Sequence, residues 1–273
     1  MTSDLRLLCV LAHPDDESLG TGGILAKYAA EGVATYLVTA TRGERGRIGN
    51  ERPGPAIVGP VREAELRRAV GVLGVRELHF LDYVDGDLDR ADPREAISRI
   101  AGHLRRIRPQ VVVTFGADGA YGHIDHIAIS QFTGAAIVAA ADPAFVAAPG
   151  VDLPASTHAV DKLYWMADAL PTWRAYEHAF GELIYRVDGT ERRPSPWPEW
   201  MLTTFIGTGA YSELVWRAVE CHQSQISGYA SLRQLAPEDQ AALWNVQTYY
   251  RVFSRVNGGR EREHDLFAGL REA

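Results

Sequence analysis

Thiol chemistry is nearly absent from this sequence. Its two cysteines, Cys9 and Cys221, lie far apart, and Cys9 sits inside an apolar run. A disulfide framework is therefore not expected, and no metal centre can be built on cysteine, so any metal must be held by imidazole and carboxylate. Long apolar runs are also missing, and no stretch reads as a bilayer span. The N-terminus lacks the basic start, apolar run and small-residue cleavage site of a secretory leader, so the expected location is the cytoplasm. Positive charge is in short supply: 28 Lys and Arg against 35 Asp and Glu leave a net charge of −7, which argues against a general nucleic-acid binder. Repeats and low-complexity tracts are absent, and a 46% apolar share excludes a disordered chain.

What is present is an alternation. Strand-like runs at 7–11, 34–39, 77–81, 111–115 and 162–166 are separated by helical patterns at 22–30, 62–73, 93–108 and 127–140. A long Gly- and Pro-rich loop is expected from 41 to 60, and further helices over 212–222 and 237–249. Strands and helices at this spacing imply βαβ units with right-handed crossovers. The expected fold is α/β: a single Rossmann-like, doubly wound domain over 1–273 with a mainly parallel sheet and additional C-terminal elements. Residues 142–200 give mixed signals and are rich in aromatics.

The first apolar run ends in Ala12-His13-Pro14-Asp15-Asp16-Glu17. An imidazole and three carboxylates within five residues are poor packing material, because each buried charge needs a partner or a metal. The ordinary alternative is a helix cap beside a surface histidine. In the common doubly wound order the first and fourth strands flank the switch-point crevice, so further chemistry is expected after Phe115. The sequence there supplies Tyr121-Gly122-His123-Ile124-Asp125-His126. Taken together, His13, Asp16 and His126 would hold a zinc, iron or manganese ion and leave a position open for water, the catalytic arrangement. Asp15 is then the general base. His123 is expected near the substrate, hydrogen-bonded and raised in pKa by Asp125 so that an imidazolium assists the oxyanion. Tyr121 is either a hydroxyl at the oxyanion or a core aromatic.

These two motifs in this order resemble the PIG-L/LmbE-like family of zinc-dependent de-N-acetylases. The similarity extends to Thr41-Arg42-Gly43-Glu44, Val61-Arg62-Glu63-Ala64-Glu65-Leu66, Asp82-Tyr83-Val84-Asp85-Gly86, His222-Gln223-Ser224-Gln225 and the closing Asp265-Leu266-Phe267-Ala268-Gly269-Leu270. The resemblance implies zinc (Fe2+ being another suitable ion) on His13, Asp16 and His126, Asp15 as base, His123 at the oxyanion, and Glu44, Arg62 and Asp85 as contacts to sugar or inositol hydroxyls. It implies a hydrolase that removes acetyl from an N-acetylglucosamine-type small molecule, with no nucleic-acid partner and the oligomeric state left open. Ile124 stands where the family usually has Pro. Two other readings compete: cleavage of a bulkier amide, as in mycothiol S-conjugate amidases, and a non-catalytic binding relative. A nucleotide-binding role is disfavoured because Gly20-Thr21-Gly22-Gly23 lacks the full glycine spacing and follows an acidic loop.

Overall fold

The computed structural model describes residues 4–187, 189–259 and 261–271. Strands β1 (Arg6–Leu11), β2 (Ala34–Thr39), β3 (Glu77–Phe80), β4 (Val111–Thr114) and β5 (Lys162–Met166) come in chain order with helices α1 (Asp16–Gly20), α2 (Gly22–Ala30), α3 (Pro55–Leu73), α4 (Pro93–Ile107), α5 (Gly119–Gly122) and α6 (Ile124–Ala141) between them. After them come α7 (Leu170–Phe180), the hairpin β6 (Tyr185–Val187) and β7 (Thr190–Arg192), β8 (Thr204–Gly207), α8 (Ser212–Cys221), α9 (Ile226–Tyr229), α10 (Pro237–Trp244) and β9 (Val246–Ser254). The main sheet has the order β3-β2-β1-β4-β5-β9-β8. The first five are parallel, while β9 runs antiparallel to both β5 and β8.

Burial explains the centre of this sheet. Every residue of Leu7–Leu11 is fully buried, as are Val111, Val112 and Val113, because helices cover both faces and a polar side chain would find no water on either. Each such aliphatic side chain contributes on the order of 1.5–3 kcal/mol of transfer free energy. β1 and β4 are neighbours, with Cys9 opposite Val113, and the chain leaves them in opposite directions, toward β2 and toward β5. This is the switch point, and the loops after the two strands meet above it.

Local chemistry sets the helix ends. Asp92 caps α4, its carboxylate accepting from the N–H groups of Arg94 and Glu95, with Pro93 in the first turn. α3 starts at Pro55, not after Pro60 as expected, since Pro55 is itself a favourable first residue; Pro60 lies inside the helix, which forgoes one backbone hydrogen bond there. The loop before it is correspondingly shorter. α6 starts at Ile124 with His123 as its cap, so Asp125 and His126 both lie in the first turn. The helix expected over 237–249 stops at Trp244, because Val246-Gln247-Thr248-Tyr249-Tyr250 is β-branched and aromatic and pairs with both β5 and β8. Among the described residues one helix, α6, is apolar enough by length and composition to cross a bilayer, a run that the sequence reading passed over. Most of it is buried, and it packs against α4 and lies over β1 and β4.

The closing segment is part of the core. Leu266 and Phe267 are fully buried, Phe267 lies edge-on to Tyr28, and the Tyr28 hydroxyl donates to Asp265 at 2.9 Å while accepting from the Leu266 N–H at 2.7 Å.

Candidate metal centre

The loop after β1 wraps itself around Asp16. One carboxylate oxygen accepts from the backbone N–H groups of His13 at 2.8 Å and Ala12 at 3.2 Å, which turns the other side chains of the loop toward the crevice. Asp15 takes a left-handed backbone at φ 100°, a conformation that costs a residue with a Cβ about 1–3 kcal/mol and persists only when its surroundings fix it. They do so here. Its N–H donates to Glu17, and its carboxylate accepts from Arg62 at 2.8 Å and from the Tyr229 hydroxyl at 2.5 Å.

From the other side, the first turn of α6 delivers His126 and Asp125. The His126 Nε2 lies 3.3 Å from His13 Nδ1 and 3.5 Å from an Asp16 oxygen, and the other Asp16 oxygen is 3.6 Å from His13 Nδ1. Donors bound to one zinc at about 2.05 Å in tetrahedral geometry are about 3.4 Å apart. Each pairwise spacing in this His13, Asp16 and His126 triangle is on that scale, although Asp16 meets the two histidines through different oxygens. Its chemistry agrees: burial pushes the Asp16 carboxyl up to about 7 despite the opposing pull of His13, so this carboxylate lacks adequate positive compensation.

Among the described residues, the donors that lie mutually within reach with one atom each form two sets, His13 with His123 and His126, and His13 with Asp85 and Asp125. The second set uses the opposite ring nitrogen. His13 Nε2 is 2.9 Å from Asp125 and 3.3 Å from Asp85. Asp125 is fully buried and also accepts from the N–H groups of Gly86 at 2.6 Å and Leu88 at 3.1 Å, so both lone pairs of the oxygen that faces His13 are engaged and the other oxygen has one partner. It thereby acts as an acceptor for His13 Nε2–H and presents Nδ1 to the triangle, the carboxylate–imidazole relay found behind metal-binding histidines. Burial opposes charge on His13, but the hydrogen bonds to Asp125 and Asp85 outweigh it and hold its pKa well above the ordinary value. Burial also penalises the Asp85 carboxylate, yet His13 brings it down to about 2. His126 is pushed well below the imidazole range by burial and by His13, and stays neutral.

His123 differs from expectation in its partner and its charge. The Asp125 side chain faces His13; it is the Asp125 backbone N–H that reaches His123, donating to Nδ1 at 3.2 Å as part of the helix cap. Burial and the charge of His13 push His123 down to about 4. A neutral ring that accepts at Nδ1 carries its proton on Nε2. His123 is also one ring in a stack: Tyr185 at 4.4 Å, then His126 at 4.6 Å, then Phe115 on His126 at 3.8 Å. Tyr121 stands edge-on to both histidines at 5.9 and 5.5 Å and lines the same cavity.

Of the three residues expected to contact sugar hydroxyls, Asp85 and Arg62 line this cavity and Glu44 does not. Glu44 accepts from the N–H groups of Asp85 and Arg42, tying the loop after β2 to the loop after β3. Arg62 is 5% exposed and donates to Asp15 and to the carbonyls of Pro14 and Gly43. Three contributions were not legible in advance. Tyr229, a lone tyrosine in a short helix, bonds Asp15; His222 pairs with buried Glu17 at 2.7 Å; and Tyr185 comes from the aromatic segment. Two had a signal: His222, in a motif without an assigned role, and Tyr185, in an aromatic segment that suits either the wall of an acceptor site or core.

The comparisons bear on the family and the fold. A family model described as PIG-L, GlcNAc-PI de-N-acetylase, matches residues 8–137. The chain is similar to a 1D-myo-inositol 2-acetamido-2-deoxy-alpha-D-glucopyranoside deacetylase of Streptomyces avermitilis, at 33% identity over 98% of each chain. It is also similar to a mycothiol S-conjugate amidase of Streptomyces coelicolor, at 32% identity over 100% of this chain and 99% of the relative. Among solved structures, the N,N'-diacetylchitobiose deacetylase of Pyrococcus horikoshii superposes with a TM-score of 0.64 at 18% identity, covering 90% of this chain and 83% of that one; that likeness is one of fold.

Proposed function

The chain belongs to the PIG-L family of de-N-acetylases, and from that membership we propose that it hydrolyses the acetamide of an N-acetylglucosamine-type sugar carried on a small molecule. The observation that carries the reading is the convergence of His13, Asp16 and His126 at 3.3–3.6 Å with Asp15 beside them. These three residues would hold a divalent cation, and the mixed imidazole and carboxylate donors suit zinc. Once bound there, the cation would acidify a water and polarise the amide carbonyl.

The remaining steps belong to the chain's own side chains. Asp15, held in place by Arg62 and Tyr229, takes the proton from the attacking water and returns it to the departing nitrogen. Asp125 orients His13. His123 acts as a neutral donor through Nε2–H and stabilises the oxyanion without being an imidazolium, and Tyr121 lies beside it. Asp85 and Arg62 face the sugar, with Glu44 setting the position of the Asp85 loop.

The test is direct. Purified protein should carry about one divalent ion per chain and release free amine from an N-acetylglucosaminide, and chelation should abolish release. Full turnover by metal-stripped protein, or no turnover of any N-acetylated amino sugar by metal-loaded protein, would overturn the reading.

A further inference from the structure

The segment His222-Gln223-Ser224-Gln225 forms the corner between α8 and α9 and supplies no donor to the metal triangle. Two of its polar side chains are nonetheless enclosed: His222 is fully buried and Ser224 is 4% exposed. Each meets a buried carboxylate from a distant part of the chain. His222 Nε2 lies 2.7 Å from Glu17 Oε1 in α1, and Ser224 donates through its N–H at 2.7 Å and its hydroxyl at 2.6 Å to the two oxygens of Glu65 in α3. Apolar side chains of similar size would join these helices at less cost, because each carboxylate has given up its hydration.

What the two carboxylates reach explains the arrangement. The second oxygen of Glu17 accepts from the Asp15 N–H at 2.9 Å, the bond that supports the left-handed backbone at φ 100°. Glu65 lies three residues after Arg62 and so shares a face of α3 with it, and Arg62 donates to Asp15 Oδ2 at 2.8 Å. Past Gln225 the chain enters α9, whose Tyr229 donates to that same oxygen at 2.5 Å. The three groups that fix Asp15 are therefore all tied to one corner. Both side-chain donors use Oδ2, and among the described residues Oδ1 is left for the attacking water.

Resting on the reading of Asp15 as the base, we propose that the corner from His222 to Ser224 is a clasp that sets the Asp15 carboxylate, and that His222, Glu17, Ser224 and Glu65 are positioning residues of the hydrolysis. None of the four lines the cavity, so they act through Asp15 and its partners and not on the substrate. A pair that merely joined α8 to the rest of the molecule would cost stability when broken and leave the folded enzyme at full rate. The clasp predicts slow turnover by enzyme that is folded and loaded with metal.

The experiment measures free amine released from methyl N-acetylglucosaminide by metal-loaded native enzyme, His222→Ala, His222→Gln and Ser224→Ala, each with and without Asp15→Asn, and determines the crystal structure of His222→Ala. His222→Ala should lower kcat about tenfold to a hundredfold with KM and metal content little changed, as when a strained backbone relaxes and a reacting group moves by about 1 Å. Ser224→Ala removes one hydroxyl, remains available if His222→Ala does not fold, and should lower kcat about threefold to tenfold. His222→Gln, whose amide N–H falls near the place of Nε2, should recover most of the rate. On Asp15→Asn the alanine substitutions should lower the residual rate by less than about twofold, because the group they act through is already gone. In the crystal, His222→Ala should release Asp15 from its left-handed backbone or from its bonds to Arg62 and Tyr229. Native kcat in the alanine variants, equal losses with and without Asp15→Asn, or an alanine-variant structure that keeps φ near 100° and both carboxylate bonds would overturn the clasp. Native enzyme that cleaves no N-acetylated amino sugar would overturn the de-N-acetylase reading instead, and the crystal structure would then decide the clasp by itself.

Discussion

Asp15, Asp16 and Asp125 serve different purposes, and substitution separates them. The Asp15 carboxylate is held by Arg62 and Tyr229 beside the donor triangle, so Asp15→Asn should retain metal and lose activity by about a hundredfold or more, the scale of general-base catalysis. Asp16→Asn should lose metal as well; equal metal content and equal activity in both variants would reduce the loop to a helix cap. Asp125 acts at one remove. Asp125→Asn should weaken metal affinity by about 10–100-fold, read by competition with a chromophoric chelator, because the bond from His13 Nε2 loses its anionic acceptor. His123 gives the sharpest contrast with the sequence reading. Its neutral state predicts that His123→Ala lowers kcat far more than it alters KM and leaves the alkaline limb of the pH–rate curve in place. Disappearance of that limb in the variant would restore the imidazolium.

Among the elements, α6 does the most to assemble the site, since its first turn supplies both His126 and the carboxylate behind His13 while its apolar length is anchored under the sheet. Rigidity of this kind is what a metal triangle requires, because a shift of half an ångström at one donor degrades the geometry. The added strands β8 and β9 are held differently. Glu263 accepts from Lys162 at 2.6 Å, Tyr164 at 2.8 Å and Thr204 at 3.1 Å, joining β5, β8 and the closing segment through charges that have little water around them. Glu263→Ala would leave the buried Lys162 ammonium with the Ala268 carbonyl and no counter-charge, so urea unfolding should show a loss of about 3–5 kcal/mol. Burial penalises this carboxylate, but Lys162, Asn257 and Tyr164 hold its pKa below the ordinary value. The stabilisation is therefore present above the usual carboxylate range and is lost as pH falls through the folded value.

At the scale of the whole molecule, stability resides in the sheet and its covering helices, with the tail completing them. Phe267→Ala should cost about 3–5 kcal/mol in the same measurement, as a fully buried aromatic does when it leaves a cavity. Acid sensitivity has a second source away from the site. His103 is pushed down to about 4 by burial and by His79 beside it, so the unfolded chain binds the proton first. Its contribution is complete above pH 6.5 and is lost between there and about 4, a difference of about 1–3 kcal/mol. His103→Gln should flatten the thermal-stability profile across that interval; an unchanged slope would assign the acid loss elsewhere.

The sequence alone was enough to determine the parallel centre of the sheet and the meeting of the two charged loops after β1 and β4. Runs such as Leu7–Leu11 and Val111–Thr114 are legible because burial on two faces demands unbroken apolar residues, and the loops after β1 and β4 stand out because their charges have no packing explanation. Boundaries set by a cap or a proline were partly readable; the identity of β9 was not, since an apolar run of that length suits a helix until partners on both sides, β5 and β8, are known. The pairing of side chains across the site was decided by tertiary structure. Adjacent numbers suggested Asp125 for His123, but a helix turn points the carboxylate away from its cap residue and toward His13, 112 positions earlier. Tyr229 on Asp15, Tyr185 on His123 and the α7 aromatics that line the cavity likewise come from segments far apart in the chain. Periodicity records which face of an element is buried, and it carries no record of which distant residue that face will meet.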